Sequence, residues 1–188
     1  MISATDFRKG SKFLLRDEPH LVLDFQHNKM GRGGALVRAK IKNLITGSTF
    51  EETFRSDQKF DDPQLERKSM QFLYEDGGLY NFMDQDSYDQ VSVSKDILED
   101  VLGYLKEQEA YDTLYFKDRL IGITPPISMI FTVKETPPGV RGDTAQGGST
   151  KPAVLETGIT IQVPLFVNEG DYIKIDTRDK TYMERVKK

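Results

Sequence analysis

One arginine set among glycines is the most distinctive chemical feature of this sequence. Arg32 lies in the stretch HNKMGRGGALVRAK, residues 27–40, with Gly31 before it and Gly33 and Gly34 after it. Glycine adopts the positive φ angles of tight turns, so the stretch predicts a hairpin tip that carries one long cation. A guanidinium is a planar fork of donors suited to phosphate. The tip is therefore either a solvent-exposed turn or a cation that enters a narrow space lined by phosphate.

Other chemistries are poorly supported by the residues present. The sequence has no GxxxxGK[ST] motif, and a strand is predicted after Gly33 where a dinucleotide-binding motif requires a helix. The chain has no cysteine and two histidines, His20 and His27, which we interpret as a turn residue and a strand residue. Zinc needs about four ligands, so we expect no metal site. No nucleophile–base pair is evident, and we expect no catalytic residue, no cofactor and no enzyme activity.

Alternating side chains on both sides of the tip predict a long β-hairpin from Leu21 to Leu44. Before the tip, Leu21, Leu23 and Phe25 are expected on one face. After the tip, three apolar residues alternate with three cations. These are Val37, Ala39 and Ile41 on one face and Arg38, Lys40 and Lys42 on the other. The hairpin is therefore expected to have a cationic outer face behind its tip.

Clusters of turn residues divide the chain into three β-rich units of about 60 residues, a size typical of OB-fold or SH3-like barrels. The breaks are DDPQ at 61–64 and TPP at 124–126. The predicted domains are 1–63, 64–126 and 127–188.

The middle domain is expected to contain a hairpin with a Gly-Gly turn, KSMQFLYEDGGLYNFMD, and one helix capped by Ser94. The apolar stripe of that helix would be Ile97, Leu98, Val101, Leu102 and Leu105.

Charge is unevenly distributed along the sequence. Residues 64–126 carry thirteen Asp and Glu against six Lys and Arg, although the whole chain has a net charge of −4. Acid in the middle leaves both ends free to meet an anion such as RNA. The sequence also contains neither a membrane-length apolar run nor a signal peptide, so we expect a cytoplasmic protein without a membrane partner.

The longest motifs of the sequence carry a family resemblance. They are DFRKG, FQHNKMGRGGALVRAKIKNLITG, ETFRSD, YNFMD, PGVRGDTAQGGSTKPAVLETGITIQVPLFV and IDTRDKTYMERV. Over its whole length the chain resembles the elongation factor P family, the bacterial relatives of the eukaryotic hypusine-containing initiation factor. The resemblance implies an all-β fold of three consecutive barrels, SH3-like (KOW-like) and then two OB-like, in an L shaped like tRNA. It also implies a monomer.

The resemblance implies a translation factor that binds the ribosome between the P and E sites, touching both subunits. Such a factor promotes peptide-bond formation at consecutive prolines by positioning the peptidyl-tRNA. Its tip loop would be Lys29, Met30, Gly31, Arg32, Gly33 and Gly34. Many members have a lysine in a PGKG tip, whereas Arg32 resembles the branch in which a glycosyltransferase attaches rhamnose to the tip arginine. Arg32 acts either with that sugar or unmodified.

The remaining contacts that the resemblance implies are with RNA. Gly142, Asp143 and Thr144 would meet the mRNA at the E-site codon, and Tyr182 and Arg185 would lie near the anticodon arm of the P-site tRNA. The cations Arg38, Lys40 and Lys42 would also contact RNA. Two alternatives remain open, a paralogue of elongation factor P with another tip modification or none, and a general β-barrel RNA-binding protein.

Overall fold

A computed structural model describes residues 1–30, 34–139 and 150–187. In this part of the chain the fold is all-β with one short α-helix, as predicted. The Cα positions group into two compact units, Met1–Lys68 with Thr113–Gly122, and Ser69–Asp112 with Ile123–Lys188. Because the boundary between these units runs through the strands of one sheet, it does not coincide with the three predicted domains. The boundaries of those domains stay a prediction.

The first sheet encloses a core of aromatic rings. Its strands are β2 (Lys12–Leu15), β3 (Glu18–Met30), β4 (Gly34–Asn43) and β5 (Thr49–Arg55). A separate two-stranded sheet contains β1 (Ile2–Ser3) and β6 (Lys59–Phe60), and a 3-10 turn spans Ala4–Asp6. The order is β2-β3-β4-β5, and β1 pairs separately with β6. Phe7, Phe13, Phe54 and Phe60 lie with ring centroids 4.8–6.0 Å apart. Tilted and edge-on rings at this spacing stabilise a small core beyond the area that they bury.

A β-bulge at Leu23 determines which side chains of β3 face this core. Val22 pairs with Ile41 in the core, and beyond the bulge Phe25 packs against the same core. Leu23 is the extra residue between them, opposite no residue of β4. The predicted common face of Leu21, Leu23 and Phe25 is therefore wrong, because the extra residue shifts the alternation by one position.

His20 is a buried strand residue, and its assignment to a turn was wrong. The turn lies earlier, at Arg16 and Asp17, whose φ angles are 54° and 63°. His20 is 3% exposed, its Nδ1 lies 3.0 Å from the carbonyl oxygen of Glu18, and its ring packs against Phe13. Its role is to fill the core and satisfy a backbone carbonyl, since these contacts leave it inaccessible to substrate.

The second sheet contains the predicted Gly-Gly hairpin. Its strands are β7 (Glu66–Asp76), β8 (Leu79–Asp84), β9 (Gln90–Ser94), β10 (Ala110–Phe116) and β11 (Arg119–Thr124), in the order β11-β10-β7-β8-β9. Gly77 and Gly78 join β7 to β8 with φ angles of 57° and 82°. Two consecutive positive φ angles are required by a type I′ hairpin turn, which confirms the prediction from this dipeptide.

The helix of the middle region is shorter than its apolar stripe predicts. The α-helix, α1, spans only Lys95–Leu98, and a separate 3-10 turn spans Leu102–Tyr104. Ser94 stands at the N-cap position, but its side chain makes no capping hydrogen bond. The acidic residues Glu99 and Asp100 follow the helix and oppose its dipole, which favours an early end. Gly103, within the 3-10 turn, has low helix propensity and does not favour continuation of the helix there. At Gly103 an added Cβ would lie 2.1 Å from Cγ2 of Ile159.

The third sheet closes into a barrel. Its strands are β12 (Ser128–Glu135), β13 (Thr150–Leu155), β14 (Thr160–Pro164), β15 (Tyr172–Asp176) and β16 (Thr181–Val186). The order is β14-β13-β12-β15-β16, and the two edge strands β14 and β16 also contact each other. Side chains alternate along β14, since Ile161 and Val163 are buried while Thr160 and Gln162 are exposed.

The expectations of no metal site and no membrane span can be compared with the described residues only. Among them, no three His, Asp or Glu side chains are arranged to hold a metal ion. None of the helices in the same ranges is long and apolar enough to cross a membrane.

Candidate RNA-binding surfaces

The β3–β4 hairpin is the longest paired element of the first sheet. Its strands remain in antiparallel register from His20 opposite Asn43 to Met30 opposite Gly34. The neighbouring strand β5 ends opposite Leu36, so the hairpin continues beyond β5 toward its tip. Pairing with β5 supports the hairpin as far as Leu36, and the antiparallel pairs beyond it extend the support toward the tip.

The structure describes only part of the predicted tip loop. Gly31, Arg32 and Gly33 lie outside the described residues. Lys29 and Met30 end β3, and Gly34 begins β4. The described strands therefore end immediately on either side of the predicted tip.

The basic row on β4 has the predicted alternation. Val37, Ala39 and Ile41 are fully buried, whereas Arg38 and Lys40 are exposed. Lys42, the third cation of the row, is half-buried. The burial of the intervening residues fixes the row on the outer face of the sheet.

Acidic side chains accompany this row. Arg38 forms an ion pair with Glu51 of β5. Lys40 stands in register between Asp24 on β3 and Glu51 on β5. A hydrogen bond from the Lys9 ammonium, 3.3 Å away, lowers the pKa of the Asp24 carboxyl below its ordinary value. The surface is therefore a row of alternating charge, and an RNA phosphate must compete with these carboxylates for the cations.

The partner Glu51 was not anticipated from the sequence. The stretch TFEETF contains two adjacent glutamates, Glu51 and Glu52, which must point to opposite faces of a strand. Which of them meets the β4 cations depends on the register, and the register places Glu51 opposite Lys40. Glu52 instead pairs with Arg16, with Oε1 3.0 Å from Nη2.

Tyr182 and Arg185 lie together on β16, and both contact the side chain of Phe166. The guanidinium carbon of Arg185 is 5.5 Å from the centroid of the Phe166 ring. The Tyr182 ring meets that ring edge-on, with centroids 6.4 Å apart. Asp171 completes the group, with Oδ2 3.5 Å from Nη1 of Arg185. We call these four residues the β16 cluster; sequence reasoning identified two of them.

The Tyr182 hydroxyl remains a neutral hydrogen-bond donor under ordinary conditions. Partial burial raises its pKa, although the positive charge of Arg185 opposes the increase. An aromatic ring with a neutral hydroxyl beside an arginine can contact ribose and phosphate together.

The predicted mRNA-contacting residues Gly142, Asp143 and Thr144 lie outside the described residues, but the base of their loop is described. The Nζ of Lys151, a residue only 5% exposed, donates a hydrogen bond to the carbonyl oxygen of Pro137 at 2.7 Å. Thr136 Oγ1 donates to the carbonyl oxygen of Pro152 at 2.9 Å. Two hydrogen bonds therefore join the incoming and outgoing segments of the loop.

Family models match almost the whole chain. Residues 3–60 match the elongation factor P KOW-like domain. Residues 65–123 match the elongation factor P OB domain, and residues 129–185 match the elongation factor P C-terminal domain.

Complete relatives agree with these models. An elongation factor P of Acetivibrio thermocellus is 50% identical over 186 residues, which cover 99% of this chain and 100% of the relative. An elongation factor P of Thermodesulfovibrio yellowstonii is 46% identical over 187 residues, with 100% of both chains covered. Among solved structures, the eukaryotic translation initiation factor 5A from Methanococcus jannaschii is similar with a TM-score of 0.56 and 17% identity. That match covers 66% of this chain and 93% of the other, and it supports the fold alone.

The β-sheets, the long hairpin and the matched models define a multidomain β-barrel protein of the translation apparatus, with a KOW-like domain followed by OB-type domains. The chain belongs to the elongation factor P family. It is therefore a translation elongation factor, and membership of this family implies an interaction with the ribosome and tRNA. The alternative of a general RNA-binding protein is not supported by these matches.

Proposed function

We propose that this elongation factor binds the ribosome between the P and E sites and promotes peptide-bond formation at consecutive prolines. Arg32 would reach toward the peptidyl-tRNA from the tip of the β3–β4 hairpin. The observation that carries this proposal is the continuous pairing of the hairpin up to Met30 and Gly34. A stiff support holds a tip group in place, which a flexible loop of the same length would not do.

The contribution of the tip is positioning. The ring of proline fixes φ and constrains the chain at the reaction centre. A cation with several donors beside the peptidyl-tRNA would hold the substrates in a reactive geometry and stabilise developing charge. The protein would form and break no bonds, so the proposal assigns it no catalytic residue, no cofactor and no enzyme activity.

The proposal includes a rhamnose on Arg32, attached by an arginine glycosyltransferase. The sequence feature that supports it is Arg32, at the tip position where the family resemblance implies a modified lysine in many members. A sugar would lengthen the side chain and add hydroxyl donors and acceptors at its end.

Three other surfaces would fix the factor in its site. Arg38 and Lys40 would exchange their acidic neighbours for RNA phosphate, and Lys42 would add a third cation to the row. The loop containing Gly142, Asp143 and Thr144 would contact the mRNA at the E-site codon, supported by the hydrogen-bonded base around Lys151. The β16 cluster would contact the anticodon arm of the P-site tRNA. The factor would act as a monomer in the cytoplasm and touch both ribosomal subunits.

Reconstituted translation tests the proposal. Protein purified from its native host should accelerate tripeptide formation on a Pro-Pro-Pro message and leave a matched message without proline unchanged. The same preparation should show the mass of one deoxyhexose on a peptide spanning residues 16–40. Equal acceleration of both messages, or of neither, would exclude the proline-specific function. An unmodified peptide from a fully active preparation would exclude only the sugar, and another attached group would identify a paralogue with a different modification.

A further inference from the structure

Phe166 is unusual among the phenylalanines of this protein. The chain has eleven phenylalanines, all within the described ranges, and only Phe166 belongs to the exposed class. The residue is 56% exposed, while its neighbour Val167 is fully buried. Core packing therefore does not explain a phenylalanine at this position.

The contacts of Phe166 indicate a different role. Its ring touches both Arg185 and Tyr182, at centroid distances of 5.5 and 6.4 Å. A guanidinium over an aromatic face is attracted by the negative potential of the ring. Phe166 thus links the two residues of β16 that are expected to contact RNA.

A second group restrains the same guanidinium. Asp171 Oδ2 lies 3.5 Å from Nη1 of Arg185, and that carboxylate oxygen also accepts a hydrogen bond from the backbone N–H of Asn168 at 2.8 Å. The carboxylate is thereby fixed to the β14–β15 connection. Arg185 is held by a ring and by an anchored carboxylate, yet 43% of its side chain stays exposed and available to a ligand.

We propose that Phe166 is a positioning residue, which holds the Arg185 guanidinium ready to bind a phosphate of the tRNA backbone. An exposed arginine normally loses rotamer freedom when it binds, and prior restraint reduces that loss. The inference rests on the proposed function, because it takes the ligand of the β16 cluster to be ribosome-bound tRNA.

A double-mutant cycle with Phe166→Ala and Arg185→Ala tests whether Phe166 acts through Arg185. The measured quantity is the dissociation constant for 70S ribosomes that carry a P-site tRNA. Phe166→Ala should weaken binding about two- to fivefold, the equivalent of an exposed cation–π contact. In the Arg185→Ala background the same change should weaken binding by less than about 1.5-fold. Phe166→Tyr, which keeps the aromatic face, should restore binding.

Tyr88→Ala is the matched control. Tyr88 is a 71% exposed aromatic residue of the connection between β8 and β9, and its loss should leave the dissociation constant unchanged. Thermal melting of each variant separates unfolding from weaker binding.

A measurement without ribosomes tests the restraint directly. In the NMR spectrum, the side-chain Nε–Hε group of Arg185 should show restricted motion in the wild type and free motion in Phe166→Ala. Unchanged motion would overturn the proposal.

Additive losses in the binding cycle would also overturn it, since they would mean that Phe166 contacts RNA by itself. The proposal would also be overturned by an Arg185→Ala variant that binds ribosomes like the wild type. Failure of the wild type itself to bind ribosomes would instead reject the proposed function.

Discussion

Arg38 on β4 and Glu51 on β5 form an ion pair on the outer face of the first sheet. The pair occupies the surface that the sequence marks as cationic, and both side chains are about half exposed. An exposed pair contributes little to stability, on the order of 0–1 kcal/mol, so it mainly adjusts how readily Arg38 can meet another anion.

Glu51→Gln should therefore strengthen ribosome binding by up to about fivefold at low salt, because Arg38 and Lys40 lose a competing carboxylate. The melting temperature should hardly change. The measurement is the dissociation constant at two salt concentrations. Glu52→Gln removes the same charge from the neighbouring residue, which pairs with Arg16, and serves as the control. Equal strengthening by both variants would show that only the net charge matters.

Arg32→Ala should change the free energy of unfolding by about 0.5 kcal/mol or less, because the glycine-rich sequence predicts a tip whose side chain makes few contacts. The same variant should lose most of the proline-specific activity, because it removes the cation from the apex of the hairpin. Arg32→Lys should not restore activity, since it lacks the guanidinium that a glycosyltransferase would modify. Rates of Pro-Pro-Pro tripeptide formation and melting curves measure both effects.

Arg119→Ala, which removes an exposed arginine from β11 of the second sheet, is the control for this series. Full activity in Arg32→Ala would reject the role of the tip. Full activity in Arg32→Lys would reject only the modification of the guanidinium.

Replacing Asp143 and Thr144 with alanine should weaken rescue of a Pro-Pro-Pro reporter and leave the melting temperature intact. The reason is that both residues are assigned to mRNA contact and not to the core of the third barrel. Rescue of the reporter is measured together with ribosome binding and thermal melting. Unchanged rescue by the folded double variant would remove this loop from the mechanism.

Gly103→Ala should destabilise the protein by about 1–3 kcal/mol, the usual effect of overpacking. The new Cβ would lie 2.1 Å from Cγ2 of Ile159, so the two segments would have to separate. Chemical denaturation gives the change in free energy. Gly122→Ala is the matched control, because its Cβ would find the nearest atom at 3.9 Å, an ordinary contact. Equal stability of the two variants would contradict the close approach at Gly103.

Acid should destabilise the wild type through Asp176. Hydrogen bonds from Arg178, with Nη2 2.6 Å from Oδ2, lower the pKa of the Asp176 carboxyl from 3.8 to about 2. A lowered folded-state pKa stabilises the fold above pH 4, and that contribution is lost as the pH falls from about 4 to 2. The melting temperature of Asp176→Asn should therefore change less between about pH 4 and 2 than that of the wild type. Asp179→Asn, in the same turn, should keep the slope of the wild type.

Much of the fold follows from local sequence pattern. The alternation around Val37 and Ala39 and the paired glycines Gly77 and Gly78 each fix a local conformation, and the structure confirms them. Which side chains of β3 face the core could not be predicted, because the bulge at Leu23 shifts the alternation and no distinctive residue type marks it. The end of α1 was missed because the apolar pattern continues past it. Leu98 and Val101 are buried, but Ile97 is exposed and the helix ends at Leu98.

The candidate site was predictable only in part. Cations and aromatic residues are visible in the sequence, whereas their partners depend on register and on loops distant along the chain. Glu51 meets Arg38 through the pairing of β4 with β5, and Phe166 reaches Arg185 from the connection between two other strands. These partners determine how readily each cation can bind another anion. The amino-acid composition alone does not reveal them.

The alternation of the β3–β4 hairpin also restricts how its length can vary. Unless a bulge absorbs it, as at Leu23, a single residue added to or removed from a strand would turn outer side chains inward. The hairpin therefore changes its length most readily in steps of two residues per strand. Each step alters the reach of the tip by about 7 Å, the rise of two extended residues. That increment is far coarser than the tolerance of a positioned reactive group. Changes in hairpin length therefore set the reach of the tip only coarsely. Finer adjustment of the reach would come from the length of the tip side chain and of any group attached to it.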